Sequence, residues 1–420
     1  MFRVFFTSFI VTTLMLVSGI AGAATNTSTT ADKSPLRIAM IDPLSGAFAN
    51  LGVAELALFR FEANRLNKEG GINGHPIEIV PLDNKLDPKQ ALVQFQKAAD
   101  DGIHYVLQAN ADSIASALLN AVNKHNTRNP NDLILYLNYG AIGPEFTNQR
   151  CSFWHFLFDD NTKMKMNILT DWIAKQKDIK KVFLFNQDYG FGHDVSEYAR
   201  EMLKAKRPDI KIAGNVYVPL GKVKDFSPYI AEIKASGADA VITGNWGPDM
   251  SLLAKAASSS GLKIPFMTYY ASLPGTPTEM GKNGVGIVHM VSIWNGDYSN
   301  PELAKRQVAM KKQTHYDYGF IQEMYALDML QQAAAKAHSI EPTKVAFALE
   351  NLHFDGPMGT AIMRGKDHQL LAPTFISVFK DGMKYSIENT DHLNFHAIDK
   401  FSAEQTALPT TCHMRNRPSR

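Results

Sequence analysis

Residues whose types suit ligand chemistry occur in six short segments, each directly after a run that predicts a strand. All six are rich in glycine, small polar residues and aromatic rings: Asp42–Gly52, Gln108–Ser116, Leu137–Glu145, Asn186–Asp194, Gly244–Met250 and Thr268–Gly275. Open α/β sheets bind ligands at the carboxyl ends of their strands, where helix N-termini offer free N–H groups to an anion such as a carboxylate. Tyrosine and tryptophan add flat apolar walls with a polar tip. The pattern therefore predicts a ligand-binding cleft.

Catalytic and metal-binding signatures are missing from the sequence. The stretch GKNGVG, Gly281–Gly286, has dinucleotide-type spacing but does not stand between a predicted strand and a predicted helix. The chain has no Walker loop, no G-x-S-x-G elbow and no H-E-x-x-H motif. Its 13 histidines are scattered, without cysteine or carboxylate partners at ligand spacing. We therefore expect no enzyme activity, no metal ion and no cofactor.

The composition is that of a soluble globular protein, with 45% hydrophobic and 20% charged residues. The 43 lysines and arginines nearly balance the 41 aspartates and glutamates, and no basic block suggests a nucleic-acid partner. A chain of 420 residues exceeds what one hydrophobic core usually supports, so two lobes are expected.

The N-terminus predicts export. Met1–Arg3 is a short basic start, Val4–Ile20 is almost wholly apolar, and Ala21–Ala23 has the small residues after which signal peptidase cuts. We interpret residues 1–23 as a signal peptide and residues 24–34 as a polar spacer. An uncleaved membrane anchor is the alternative, although the apolar run is short for a spanning helix.

Strand and helix patterns alternate along the chain, which predicts two doubly wound, mostly parallel α/β lobes. The first lobe begins with the strand Leu36–Ile41 and a helix within Gly52–Gly71. The irregular segment Cys151–Asn161 is expected to cross between lobes, because the alternation restarts after it. Later, Pro301–Ser339 predicts a long helical stretch, and the segments GTAIMR and PTFISVFKDG predict a hairpin-like pair of strands.

The two cysteines, Cys151 and Cys412, suit one disulfide in an oxidising compartment. Such a bond would close a very long loop and tie the C-terminal tail to the body of the protein. Two separate buried thiols are the alternative.

Five motifs stand in a distinctive order between about Pro35 and Asn394: PLSGAFANLG, INGHPIEIVPLDNKLDPKQAL, NQDYGFG, KDFSPYIAEIKASGADAVITG and FDGPMGTAIMR. In these motifs the chain resembles the type I periplasmic substrate-binding proteins of ABC transporters, in the leucine/isoleucine/valine-binding group. The resemblance implies a monomeric periplasmic protein without a cofactor, whose lobes close around a small carboxylate-bearing ligand. A membrane permease would receive that ligand; a sensor that reports to a membrane receptor is the alternative role.

The resemblance also implies three crossings between the lobes, which we place near Phe156, Val291 and Gly356. Lobe one would then comprise residues 35–156 and 292–356, lobe two residues 157–291 and 357–400, and the C-terminal tail residues 401–420. Closure would be a hinge motion in which a buried ligand favours the closed state.

Matching the family's binding site to this sequence residue by residue implies a set of ligand contacts. The ligand carboxylate would meet the segments 110–113 and 140–142, although Ile142 stands where those relatives usually have a threonine hydroxyl. Two aromatic residues match the expected walls, and two apolar residues the side-chain end of the pocket. The implied contacts are Phe48, Leu51, Asn110, Asp112, Ser113, Gly140, Ala141, Ile142, Tyr189, Trp246 and Tyr270.

Tyr270 departs from the family pattern. Amino-acid binders of this family have an acidic residue there, which pairs with the ligand's ammonium group, and a buried ammonium without such a partner is costly. Asp112 and Asp249 are candidate substitutes. The ligand is therefore either a branched-chain amino acid or a related carboxylate without a free amine, such as an aromatic or keto acid, or an amide. Tyr269 is expected to pack away from the cleft, because neighbours on an extended segment face opposite sides.

Overall fold

The computed structural model describes residues 1–2, 33–414 and 416–419. The predicted signal peptide lies outside the described residues apart from its first two positions, and the predicted spacer lies outside them apart from its last two. Among the helices of the described ranges, none combines the length and apolar character that crossing a bilayer requires.

An eight-stranded sheet forms the first lobe. Its strands are β1 (Leu36–Asp42), β2 (Ile77–Asp83), β3 (Tyr105–Gln108), β4 (Leu135–Asn138), β5 (His155–Leu157), β11 (His353–Gly356), β12 (Gly359–Arg364) and β13 (Gln369–Leu371). Their order is β11-β12-β13-β5-β4-β3-β1-β2, and all neighbouring pairs are parallel except β11–β12 and β12–β13. The helices of this lobe are α1 (Ala49–Lys68), α2 (Pro88–Asp100), α3 (Asp112–Arg128), α9 (Pro301–Thr314), α10 (Gln322–Ala337) and α11 (Pro342–Leu349).

A seven-stranded sheet forms the second lobe. Its strands are β6 (Lys181–Gln187), β7 (Lys211–Val218), β8 (Ala240–Ile242), β9 (Phe266–Thr268), β10 (Val288–Ser292), β14 (Thr374–Lys380) and β15 (Asn394–Phe401). Their order is β15-β14-β10-β9-β8-β6-β7, with β14 antiparallel to both neighbours. The helices are α4 (Thr162–Ala174), α5 (Gly190–Lys206), α6 (Ser227–Ser236), α7 (Pro248–Ser259) and α8 (Thr276–Met280), and α12 (Ala403–Thr406) packs against α4. The prediction of two α/β lobes is confirmed.

Local chemistry sets the ends of the elements that lead to the cleft. Asp87 caps α2 by accepting a 2.8 Å hydrogen bond from the Gln90 N–H, and Pro88 follows at the first helical position. Helix α1 ends before Gly71, whose φ of +73° favours glycine and where a Cβ atom would stand 2.1 Å from the His75 carbonyl oxygen. Strands β3 and β4 are buried along their whole length, as interior strands of a parallel sheet must be.

Three crossings join the lobes, after β5, after β10 and between β13 and β14. The third lies between Leu371 and Thr374 rather than near Gly356, because β12 and β13 pair within the first sheet. The predicted placement of residues 357–371 in lobe two is therefore wrong. The predicted hairpin is wrong as well, since β12 pairs with β11 and β13 whereas β14 pairs with β10 and β15.

The predicted helical stretch from Pro301 to Ser339 is broken in the middle. His315, with a left-handed φ of 66°, ends α9, and α10 begins only at Gln322. The connecting residues carry Phe320 to the cleft, so the break positions one wall of the cavity.

A disulfide joins Cys151 to Cys412, with Cα atoms 5.8 Å apart and a sequence separation of 261. This confirms the predicted bond and excludes two free thiols. Cys151 belongs to the first lobe, whereas Cys412 lies in the tail that follows β15 and α12. The tail is thus a covalent connection between the lobes in addition to the three crossings.

We predict that the double variant Cys151→Ser/Cys412→Ser lowers the free energy of unfolding by about 2–5 kcal/mol, because the unfolded chain loses a very long closed loop. Urea denaturation of the protein measures the change. A thiol titration of the unfolded, unreduced wild type is the control and should find no free thiol. Equal denaturation midpoints for variant and wild type would contradict the prediction.

Candidate functional site

A cavity of about 40 Å³ lies between the lobes, at the carboxyl ends of strands from both sheets. The first lobe lines it with residues that follow β3 and β4 and with residues of α1 and the α9–α10 connection: Glu55, Ala109, Asn110, Ala111, Asp112, Gly140, Ala141, Ile142 and Phe320. The second lobe contributes mainly aromatic residues: Tyr189, Phe191, Trp246, Tyr270 and Leu273.

Most of the predicted contact residues meet at this cavity, but three do not line it. Phe48 packs behind Trp246, with ring centroids 4.8 Å apart, and Leu51 is buried in the first-lobe core. Ser113 is exposed to solvent. Successive residues of a helix point about 100° apart, so Asp112 and Ser113 at the start of α3 do not face the same side. The predicted ligand contact of Ser113 is not supported by its position.

The N-terminus of α3 lies at the cavity: the N–H groups of Ile114 and Ala115 donate to the Ala111 carbonyl oxygen, whereas those of Asp112 and Ser113 have no partner among the described residues. Ala111, the residue before the helix, adopts a φ of 74° and supplies no side-chain cap within residues 33–414. Asp112 Oδ1 accepts a 3.2 Å hydrogen bond from the Gly143 N–H. Burial, followed by repulsion from Glu145 and Asp194, raises the pKa of Asp112 to about 8. A carboxyl group that keeps its proton at neutral pH donates a hydrogen bond as well as accepting one.

A hydrogen-bonded acidic cluster lies on the first-lobe side of the cavity, and two of its members, Glu55 and Asn110, line the cavity. Asn110 Nδ2 lies 2.9 Å from both Asp42 Oδ1 and Glu55 Oε2 and donates to each. Tyr139 Oη donates to Asp42 Oδ2 at 2.7 Å and lies 3.1 Å from Glu55 Oε2. Burial raises the pKa of Asp42 to about 6. Burial and then repulsion from Asp42 hold the pKa of Glu55 well above its ordinary value.

The aromatic wall of the second lobe is tied together by one polar contact. Trp246 Nε1 donates a 2.8 Å hydrogen bond to Tyr189 Oη, which fixes the two rings relative to each other. Tyr270 lies between Phe191 and Phe320, with ring centroids 6.1 and 5.9 Å away. Gly140 allows the Phe320 ring to pack closely against the backbone, because a Cβ atom at position 140 would stand 3.1 Å from Phe320 Cζ.

Tyr270 is held by a buried ion pair. Lys165 Nζ lies 2.7 Å from Asp159 Oδ2, and both side chains are 0% exposed. Tyr270 Oη donates to the same Asp159 oxygen at 3.1 Å and lies 3.4 Å from the Gly140 carbonyl oxygen. Lys165 Nζ also stands 4.6 Å from the centroid of the Tyr270 ring. Tyr270, which stands where the amino-acid binders have an acidic residue, is therefore bound to Asp159. Its neighbour Tyr269 is 0% exposed and packs into the second-lobe core.

The two candidate substitutes for an ammonium partner differ in position. Asp112 lines the cavity. Asp249 does not: its Oδ2 accepts hydrogen bonds from Gln187 Nε2 at 2.7 Å and from the Gly221 N–H at 2.8 Å. Glu55 was not foreseen, since one acidic residue inside an amphipathic helix reads as part of its solvated face. In the part of the chain that the structure describes, no group of three His, Cys, Asp or Glu residues is placed to hold a metal ion.

Comparison with known proteins gives consistent results. The family model described as periplasmic binding protein matches residues 35–383. The Leu/Ile/Val-binding protein homolog 4 of Brucella melitensis is 31% identical over 415 residues, covering 96% of this chain and 98% of that one. The crystal structure of a leucine-, isoleucine-, valine-, threonine- and alanine-binding protein from Brucella ovis, in a closed conformation, superposes with a TM-score of 0.81 at 29% identity, covering 91% of this chain and 100% of that one.

A more distant structure shares the fold. The solute-binding protein of an ABC transporter from Rhodopseudomonas palustris, in complex with 3,4-dihydroxybenzoic acid, superposes with a TM-score of 0.75 at 18% identity, covering 88% of this chain and 98% of that one. At this identity the likeness concerns the fold alone.

We predict that Lys165→Met lowers the free energy of unfolding by about 3–5 kcal/mol, because it leaves the Asp159 carboxylate buried without its cation. Lys163→Met is the matched control: Lys163 is 41% exposed and lies 3.8 Å from Glu201, so its removal should cost less than about 1 kcal/mol. Urea denaturation of both variants measures the difference. Equal losses would show that the buried pair does not hold this part of the structure.

A second prediction concerns pH. With a folded pKa of about 8 against an ordinary value of 3.8, the Asp112 carboxyl keeps a proton in the folded state that it releases on unfolding between these pH values. Its contribution therefore makes the free energy of unfolding fall as pH rises, by about 1.4 kcal/mol per pH unit. Urea denaturation at pH 5, 6 and 7 measures the free energy of unfolding of the wild type and of Asp112→Asn. Between these pH values the wild type should lose this amount per pH unit relative to the variant. Parallel slopes for variant and wild type would refute the prediction.

Proposed function

Because the chain belongs to the periplasmic binding protein family, the substrate-binding proteins of ABC transporters, we propose that it captures a small carboxylate-bearing ligand between its lobes and presents it to a membrane permease. The observation that carries this proposal is the cavity itself, which is built from both lobes and combines a helix N-terminus with aromatic walls. A ligand buried there contacts both lobes at once and so favours the closed state. The permease then distinguishes the loaded protein from the empty one by its shape.

The first lobe supplies the end that receives the carboxylate. The start of α3 lies at the cavity, where the N–H groups of Asp112 and Ser113, unpaired among the described residues, are available to an anion, and the protonated Asp112 carboxyl donates one further hydrogen bond. The segment Gly140–Ile142 borders this surface, with its N–H groups already bonded to Asn138 and Asp112. The aromatic residues of the second lobe cover the apolar part of the ligand.

The favoured ligand is a branched-chain amino acid or a related carboxylate. The Brucella relatives are named for leucine, isoleucine and valine, or for these with threonine and alanine. An aromatic acid is the second candidate, because the wall formed by Tyr189, Trp246 and Tyr270 suits a flat ring and the distant Rhodopseudomonas protein was crystallised with a dihydroxybenzoic acid. Keto acids and amides share the same carboxylate or carbonyl end.

The proposal includes the setting in which the protein works. Residues 1–23 direct it to the periplasm, where the oxidising environment lets the Cys151–Cys412 bond form. It acts there as a monomer, without a cofactor and without a catalytic step. A sensor role, in which the closed form engages a receptor instead of a permease, uses the same ligand site; loss of uptake in a strain lacking the protein would distinguish import from sensing.

A thermal-shift screen of the exported protein tests the function. Amino acids, keto acids and aromatic acids are added singly, and a ligand that binds the folded state raises the melting temperature by mass action. We expect one chemical group of these compounds to raise it in a concentration-dependent way. A chain that none of the compounds stabilises, or that consumes a compound while binding it, would contradict the proposal.

We predict that Trp246→Ala and Tyr189→Ala each weaken the binding of the compound with the largest thermal shift by at least about 10-fold, because each removes an aromatic wall and its contact with the other ring. Tyr217→Ala is the control, since Tyr217 packs against His193 away from the cavity. Titration calorimetry measures the affinities. Unchanged affinity in both cavity variants would show that the ligand binds elsewhere.

A further inference from the structure

Glu55 presents an unused oxygen to the cavity. Its Oε2 atom is shared between Asn110 and Tyr139, whereas its Oε1 atom receives no hydrogen bond from any residue in the described ranges. The residue is only 3% exposed, yet it lines the cavity. The free oxygen of a nearly buried carboxyl group therefore faces the space between the lobes.

A second carboxyl group that interacts with Glu55 has no side-chain hydrogen-bond partner among the described residues. Glu323, in the first turn of α10, is 1% exposed, and apart from its own backbone N–H no donor within residues 33–414 reaches either oxygen. Burial, and then repulsion from Glu62 and Asp42, hold the pKa of Glu323 well above its ordinary value, and Glu323 in turn helps to raise the pKa of Glu55. Three buried carboxyl groups thus share one region, and the residues that line the cavity include no lysine, arginine or histidine among those described. The nearby Lys165 is already paired with Asp159.

We propose that this cluster is a subsite for an amine, in which Glu55 Oε1 accepts hydrogen bonds from the ammonium group of the ligand and the positive charge of that group stabilises the ionised form of the cluster. The inference rests on the proposed function and narrows its ligand to one that carries a protonated amine beside its carboxylate. An ammonium group supplies the cation and the hydrogen-bond donors that the cluster lacks. A keto acid brings neither, and a hydroxybenzoic acid brings a hydroxyl donor but no cation.

This subsite places both charged ends of the ligand on the first lobe. The carboxylate meets the N-terminus of α3, and the amine meets Glu55, which Asn110 links to the same strand end. The second lobe then needs no acidic residue and contributes the aromatic cover, which accounts for a tyrosine at position 270.

Matched ligand pairs test the subsite. L-leucine is compared with 4-methyl-2-oxopentanoate and L-phenylalanine with phenylpyruvate, since the members of each pair differ only at C2, which carries an ammonium group in one and a ketone oxygen in the other, and 4-hydroxybenzoate represents aromatic acids. We expect calorimetry of the exported protein to find an amino acid that binds at least 100-fold more tightly than its keto partner. In Glu55→Gln, the affinity for that amino acid should fall at least 10-fold, while any weak affinity for the keto acid changes less than threefold.

Two further variants keep the test specific. Glu69→Gln removes the same charge at the exposed end of α1 and should leave every affinity unchanged. Glu323→Gln leaves Glu55 in place but removes a neighbouring carboxyl group that a bound ammonium would allow to ionise, so the affinity for the amino acid should fall several-fold. This second cluster variant also decides the question if Glu55→Gln does not fold.

The outcomes separate the two proposals. The amine subsite is overturned if keto acids or 4-hydroxybenzoate bind as tightly as the amino acids. It is also overturned if Glu55→Gln and Glu323→Gln both bind the amino acid as the wild type does. Either result leaves the proposed function standing. Binding of sodium ions alone, without any of the organic compounds, also overturns the subsite. Failure of every compound to bind overturns the proposed function itself.

Discussion

The buried ion pair between Lys165 and Asp159 is the interaction on which the cleft depends. Asp159 lies in the first crossing, Lys165 in the first turn of α4, and Tyr270 at the cavity wall, so one carboxylate joins hinge, second lobe and site. Gln369, at the start of β13 shortly before the third crossing, adds a further contact, because its Nε2 atom donates to the Asp159 carbonyl oxygen at 2.6 Å. A buried charge is stable only when other groups compensate it. The groups that bond to Asp159 come from α4, from the cavity wall and from β13.

The cleft divides its chemistry between the lobes. Polar groups lie on the first lobe, where α3 presents its N-terminus and Glu55 and Asp112 present carboxyl groups. The second lobe presents rings, with Tyr189 and Trp246 joined by a hydrogen bond. A ligand can therefore be oriented by the first lobe before the second covers it. Burying apolar surface is non-directional, so the covering lobe tolerates variation in ligand side chains more readily than the first lobe tolerates a change of charge.

The sequence predicted the elements with strong local signals and missed those set by long-range pairing. Strand-end loops, the Asp87 cap and the disulfide follow from residue type and spacing, and all are present. The third crossing could not be located, because β12 and β13 have the pattern of any strand and only their partners assign them to the first sheet. Glu55 and Asp159 were missed for the same reason: each acquires its role from side chains far away in sequence, such as Tyr139 and Tyr270.

The position of the ligand's nitrogen atom tests the central claim most directly. A crystal structure of the complex with the tightest-binding compound resolves it. We predict that the ligand lies between the lobes with its carboxylate at the N-terminus of α3 and its ammonium nitrogen about 3 Å from Glu55 Oε1. A ligand without an amine, or one whose amine points to the second lobe away from Glu55, would contradict the account.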